Sequence, residues 1–202
     1  MKKLNVKLTF IQECLGTACN DKDVHREFIA SKSPDAKKIE EEIDAIGVDE
    51  YIEKQMTVFP RDADGNPIFW DYQIRGFFKD TCGALQRMKG EDMAKESCKI
   101  KAYKKVIDGC IQVVPRRIKI DMHGGSVDSL QRPLRAETAK GERIALANSE
   151  MIPEGSTIEF TVICPEDKEA AVKEWLDYGE VFRGIGQWRN AGFGRFTWEE
   201  IG

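Results

Sequence analysis

"STIEFTVICPEDKEAAVKEWLDYG", residues Ser156 to Gly179, changes its periodicity at Pro165. Before the proline, Ile158, Phe160, Val162 and Cys164 alternate with other residues, which predicts a strand covered on one face. After it the spacing lengthens: acids fill the first turn, Val172, Trp175 and Leu176 share one stripe, and Gly179 reads as the helix stop. A strand feeding directly into an amphipathic helix is half of a β-α-β unit, and "FGRFTWEEI" alternates into a final strand that completes it.

The same order occurs earlier in the chain. In "KLNVKLTF" Leu4, Val6, Leu8 and Phe10 alternate with Lys3, Asn5, Lys7 and Thr9, again the period of a half-covered strand. "WDYQIRGFFKDTCGALQRM" then places Ile74, Phe77, Phe78, Cys82 and Leu85 on one helical face, predicting a core helix over 73–88. Its interior glycines, Gly76 and Gly83, each cost up to ~1 kcal/mol relative to alanine, and close approach of backbone to a neighbour or ligand would account for them. "CIQVVP" and "RIKIDM" read as strands, followed by a stretch rich in Gly, Ser and Arg. The sum is an α+β, ferredoxin-like chain: a split β-α-β-β-α-β sheet in a single domain over 1–202, with insertions at about 11–60 and 88–150. Within the first insertion, "SPDAKKIEEEIDAIG" predicts an acidic peripheral helix, with Ser33 as N-cap, Pro34 at its first position and Gly47 as its stop.

Composition narrows the function. The 202 residues are 41% hydrophobic and 33% charged, the balance of a soluble globular protein. No apolar run approaches the roughly 18 residues of a membrane span, and "MKKLNVKLTF" alternates where a signal peptide would be continuously apolar. The expectation is a cytoplasmic protein with no membrane partner. Six scattered cysteines lack the spacing of zinc knuckles or redox pairs, and two histidines leave little material for a metal centre. Free thiols, no cofactor and no metal are therefore expected.

The net charge of -4 is unevenly spread. From Asp21 to Lys54 there are eleven acids against six bases, while from Arg87 to Lys119 there are ten bases against four acids. A basic face on an acidic body fits that distribution, and so does an unevenly charged solvated surface. "RDADGNP" superficially resembles a calcium loop, but it lacks the glutamate at the twelfth position and runs into Pro67, so a turn is expected.

"RGIGQWRNAGFGRF", Arg183 to Phe196, sits between the second helix and the last strand. Dinucleotide and P-loop glycines follow a strand and open a helix, so this loop is neither. Two readings remain. In one, Gly184, Gly186, Gly192 and Gly194 shape a structural turn. In the other, Arg183, Arg189 and Arg195, with no acid among residues 181–198, meet phosphates while Trp188 or Phe193 stacks on a base.

At this point the chain resembles a known family. "FRGIGQWRNAGFGRF" is similar to the C-terminal glycine-rich loop of the RAMP superfamily, RNA-binding subunits of CRISPR effector complexes. Three further stretches agree in order: "LTFIQECLGTACND" with the first strand and its loop, "GNPIFWDYQIRGFFKDTCGAL" with the entry to the first helix of an RRM-like domain, and "ANSEMIPEGSTIEFTVI" with the turn into a later strand. Where the family usually reads "PGSS" this chain has "WDYQ", and the following "KG" is Arg75-Gly76. The resemblance implies a RAMP-like domain that binds single-stranded RNA, self-associates or joins other RAMP-type subunits, and belongs to an RNA-guided complex as a subunit or, if phage- or prophage-borne, as its antagonist.

It also implies residues. Around the glycine loop these are Arg183, Gly184, Gly186, Trp188, Arg189, Gly192, Gly194 and Arg195. Arg75 stands at the family's "KG". Lys101, Tyr103, Lys104 and Lys105 in "CKIKAYKKVIDG", with Arg116 and Arg117 in "PRRIKI", suit the lysine-guarded face of an edge strand or a backbone-tracking groove, and the resemblance favours the groove. Arg132 and Arg135 fall in a long loop or hairpin of the kind that reaches a neighbouring subunit. Two alternatives stay open. One is an endoribonuclease on the same fold, with Asp21, Asp23 or His25 as catalytic candidates because family nucleases use an aspartate or histidine in that region. The other is an interaction or assembly module that does not bind RNA.

Overall fold

The computed structural model describes residues 1–20, 56–88, 90, 92–138 and 141–202. In chain order the strands and helices are β1 (Lys2–Phe10), β2 (Cys14–Leu15), β3 (Ala18–Cys19), β4 (Thr57–Val58), β5 (Ile68–Trp70), α1 (Asp71–Leu85), α2 (Tyr103–Cys110), β6 (Gln112–Val114), β7 (Arg117–Asp121), β8 (Asp128–Thr138), β9 (Gly141–Ile152), β10 (Thr157–Cys164), α3 (Glu169–Tyr178) and β11 (Phe196–Glu200). The helix expected at 33–47 lies outside the described residues. The chain divides into two compact units, one of residues 1–14, 60–126 and 152–202, the other of 15–59 and 127–151.

The first unit holds a six-stranded sheet in the order β11-β1-β10-β7-β5, with β6 also paired to β10. β1 and β6 both run antiparallel to the β10 between them, so β1-α1-β6 is a β-α-β unit split by one strand. β10 and β11 both run antiparallel to the β1 between them, so β10-α3-β11 is a second split unit. This interleaving is the ferredoxin-like fold expected from the sequence.

The packing follows from the apolar periods. Leu4, Val6, Leu8 and Phe10 of β1 and Ile158, Phe160, Val162 and Cys164 of β10 are all buried. The buried residues of α1 include Ile74, Phe77, Phe78, Cys82 and Leu85, and those of α3 include Val172, Trp175 and Leu176. Phe78 and Trp175 join the two helices with ring centroids 5.5 Å apart, and Phe77 meets Phe196 of β11 edge-on at 5.7 Å. Each such side chain contributes roughly 1.5–3 kcal/mol by leaving water. Burial pushes the Cys82 thiol up to about 11, which makes it an inert part of this core.

The glycines of α1 differ from one another. At Gly83 the Tyr103 hydroxyl lies where a Cβ would meet it at 2.6 Å, as close approach requires. Gly76 has nothing within 4 Å of its Cβ direction, so close packing does not account for it. Gly179, expected as the stop of α3, is itself helical at φ -64 and leads into one wide turn over Gly179–Arg183. It is a glycine because a Cβ there would strike the Phe77 ring, and the chain leaves the helix only at Gly184.

The other face of the sheet carries polar residues, some of them paired across strands. The register sets Lys7 opposite Glu159 and Glu199, with Lys7 Nζ 3.6 Å from the latter, and the Thr161 hydroxyl donates to Asn5 Oδ1 at 2.8 Å.

In the second unit the stretch rich in Gly, Ser and Arg continues into a hairpin, β8 against β9 from Asp128 opposite Met151 to Thr138 opposite Gly141. β4 pairs β9 in parallel at Thr57 and Ser149, whose hydroxyls bond at 2.8 Å, and β3 pairs β4. Gly16 permits this assembly, since a Cβ would lie 2.5 Å from the Val58 carbonyl carbon.

Two substitutions in α1 have opposite expected signs in urea denaturation. Phe78→Ala costs about 3–5 kcal/mol by opening a cavity against Trp175. Gly76→Ala gains about 0.5–1 kcal/mol, because it adds helix propensity at an unobstructed position.

Candidate nucleic-acid interface

The glycine loop is built by backbone meeting backbone. Gly184, Gly186, Gly192 and Gly194 all have positive φ, at 68°, 94°, 95° and 70°. The Ile185 amide donates to the Gly194 carbonyl at 2.8 Å, and a Cβ on Gly194 would overlap the Ile185 carbonyl oxygen. The closed base is tied to the exit of β1: the Gly194 amide donates to Glu13 O at 2.7 Å and the Ile11 amide to Arg195 O at 2.9 Å. The loop's structural reading therefore holds at all four glycines by conformation, and at Gly184 and Gly194 also by contact.

Above that base Trp188, itself left-handed at φ 52, stacks on Phe193 with centroids 5.2 Å apart and 11° between planes. Trp188 remains 36% exposed. Arg183 donates from Nε and Nη2 to the two carboxylate oxygens of Asp80, both at 2.9 Å, and Arg189 Nη1 donates to Asp80 Oδ2 at 2.7 Å. The acid missing from residues 181–198 thus arrives from α1. Hydrogen bonds from Arg183 and then Arg189 hold the Asp80 carboxyl below its ordinary value, against the opposing effect of burial, and Asp80 in turn raises Arg183. One carboxylate between two guanidiniums leaves a single positive charge beside the aromatic pair. Arg195 is exposed, and among the described residues no carboxylate pairs with it.

The other expected residues are placed differently. "CKIKAYKKVIDG" ends in the helix α2, not in an edge strand: Lys101, Lys104 and Lys105 are exposed, while Tyr103 is half-buried against Gly83. Arg75 pairs with Asp71 one turn earlier at 3.1 Å, and its Nε is buried without a partner. Arg132 is buried and donates to the Ser149 hydroxyl, and Arg135 stands in β8 opposite Ile144. Asp21, Asp23 and His25 lie outside the described residues. Asp62 closes the expected turn, its Oδ1 accepting from the amides of Asp64 at 3.0 Å and Asn66 at 2.8 Å. All six cysteines are free. Among the described residues no helix is long and apolar enough to cross a membrane.

Arg116 and Arg117 lie over the Trp70 ring, at 5.9 and 5.6 Å from its centroid. Trp70 in turn stacks on Tyr72 at 6.2 Å and 13°. Both aromatics, like Asp80, were missed in the sequence. The signal was in "WDYQ", which puts two rings two residues apart at a strand-helix junction.

No family model and no curated protein matches this chain. Among solved structures it is similar to a chain in the cryo-EM structure of the Type III-B Cmr-beta bound to cognate target RNA, at 13% identity and a TM-score of 0.49. That alignment covers 99% of this chain and 59% of the other, so this protein spans about three fifths of that chain's length. It is also similar to a chain of a Type IV-B CRISPR complex, at 11% identity and a TM-score of 0.49, covering 99% of this chain and 90% of that one.

Asp80 is stabilising only while ionised. Its folded value lies below that of the unfolded chain, so its contribution is present at neutral pH and fades as pH falls below about 3.8. Asp80→Asn is expected to lose about 1 kcal/mol at pH 7, seen as a melting temperature a few degrees lower. The gap between the variant and the parent should close when the melts are repeated in increasingly acid buffer.

Proposed function

We propose that this protein binds single-stranded RNA as a RAMP-like subunit, or an antagonist, of an RNA-guided complex. In this reading the ferredoxin-like unit with its glycine loop forms one RAMP-like domain, into which residues 15–59 and 127–151 are inserted. The observation that carries it is the glycine loop. A backbone-closed turn presents the stacked Trp188–Phe193 pair next to Arg183 and Arg189, which share one carboxylate and keep a net positive charge. A flat exposed ring beside an under-neutralised cation pair suits a base and its phosphate together. Arg195, Lys101, Lys104 and Lys105 are exposed cations of the same unit and extend the electrostatic field that a polyanion would meet.

One observation favours the assembly reading alongside it. Val181 and Phe182, in the wide turn after α3, are 55% and 57% exposed, and Tyr178 lies against Phe182 at 5.3 Å. Apolar side chains held outward next to the glycine loop fit a subunit contact.

The test is binding of a labelled single-stranded RNA between 50 and 200 mM salt. Affinity is expected to fall steeply, with a log-log slope of about -0.7 per phosphate contacted. Arg183→Ala with Arg189→Ala should flatten that slope by about one unit, and Trp188→Ala should weaken binding without changing it. Absence of binding at the lowest salt would overturn the RNA reading and leave the assembly one.

A further inference from the structure

The array at the junction of β5 and α1 is not explained by the glycine loop. Trp70 ends β5 directly opposite Arg117 at the start of β7, and the Asp71 amide donates to the Arg116 carbonyl at 3.0 Å, which fixes both arginines beside the ring. Gln73 Oε1 accepts from the Trp70 amide at 2.7 Å and sets the angle at which α1 leaves the strand. Tyr72 is thereby brought parallel to Trp70 while remaining 54% exposed. Two guanidiniums and a phenol ring therefore share one indole, and the phenol ring is exposed to solvent.

The charges differ from those at the glycine loop. Arg183 and Arg189 have Asp80, whereas among the described residues no carboxylate pairs with Arg116 or Arg117, and both are exposed. Cation-π contact orients a guanidinium without cancelling its charge. Register also puts Trp70, Arg117 and Lys119 on the polar face of the sheet, at the edge where β5 has no further strand among the described residues. A purely structural edge clasp would be complete with Trp70 and one arginine. It needs neither a second cation nor an exposed ring laid flat against the first.

We propose that Tyr72 and Trp70 form a stacking platform for one unpaired nucleobase, with Arg116 and Arg117 receiving a phosphodiester of the same strand. This rests on the RNA-binding reading and adds to it a second, base-dependent subsite on the same unit. The base lies on the outer face of Tyr72, and the rings select a π-face without reading its edge.

A 12-nucleotide oligoadenylate and a ribose-phosphate oligomer of equal length without bases separate this subsite from general charge attraction. The parent protein is expected to prefer oligoadenylate by about tenfold more than Tyr72→Ala does, the size of one stacked base. Tyr72→Phe should keep the preference, and all three proteins should have the same salt slope and melting temperature, since Tyr72 is more than half exposed. Equal preference in the parent and Tyr72→Ala, with steep salt dependence intact, overturns the platform while RNA binding stands. If the parent binds neither oligomer at low salt, both proposals fall.

Discussion

The closure of Ile185 on Gly194 is the constraint from which the glycine-loop end of the ferredoxin-like unit is built. Two backbone segments pass so closely that neither Gly184 nor Gly194 can carry a side chain, and the contact is held by peptide hydrogen bonds that need no particular side chain at all. From it, Gly194 and Arg195 reach the chain leaving β1, β11 enters the sheet with Phe196 against Phe77, and the wide turn at Gly179–Arg183 is obliged to end where it does. A substitution elsewhere in the loop changes what it presents. A substitution at Gly194 changes whether the last strand is delivered in register.

Charge then divides the arginines into two kinds. Some find a carboxylate: Arg183 and Arg189 reach Asp80 on another element, and Arg75 pairs with Asp71 one turn away in α1. Where a guanidinium lies on an aromatic ring, as Arg116 and Arg117 do on Trp70, its orientation is set without neutralisation. The overall charge of -4 conceals this difference.

What could be read from the sequence was what repeats locally. The apolar stripes of α1 and α3 and the alternation in β1 and β10 each recur within one element, so they give the helices, the strands and, through their order, the split β-α-β topology. The four glycines of the loop were legible as a turn for the same reason. Asp80 was not, because its partners lie 103 and 109 residues away and nothing in its own helix marks it. Gly179 was misplaced because a glycine after an amphipathic stripe ordinarily stops a helix, whereas here a ring from another helix requires the missing side chain. The lysines of α2 have too few apolar neighbours to reveal a helix, and Tyr103 among them gains its position only from Gly83.

The two proposed contact places are linked through α1. Tyr72 and Asp80 stand eight residues apart on one continuous helix, hence about 12 Å along its axis, at 1.5 Å per residue. α1 is clamped along that length by Ile74, Phe77 and Phe78 in the core, so the separation is set by a rigid element and not by a loop. Asp80 belongs to that scaffold: it spends one carboxylate to hold two arginines at one end, while the other end leaves its two arginines uncompensated. A chain molecule engaging both ends meets a fixed span with unequal charge, its stronger electrostatic hold at Arg116 and Arg117 and its more rigidly shaped contact at the glycine loop. That inequality follows from where the carboxylates are.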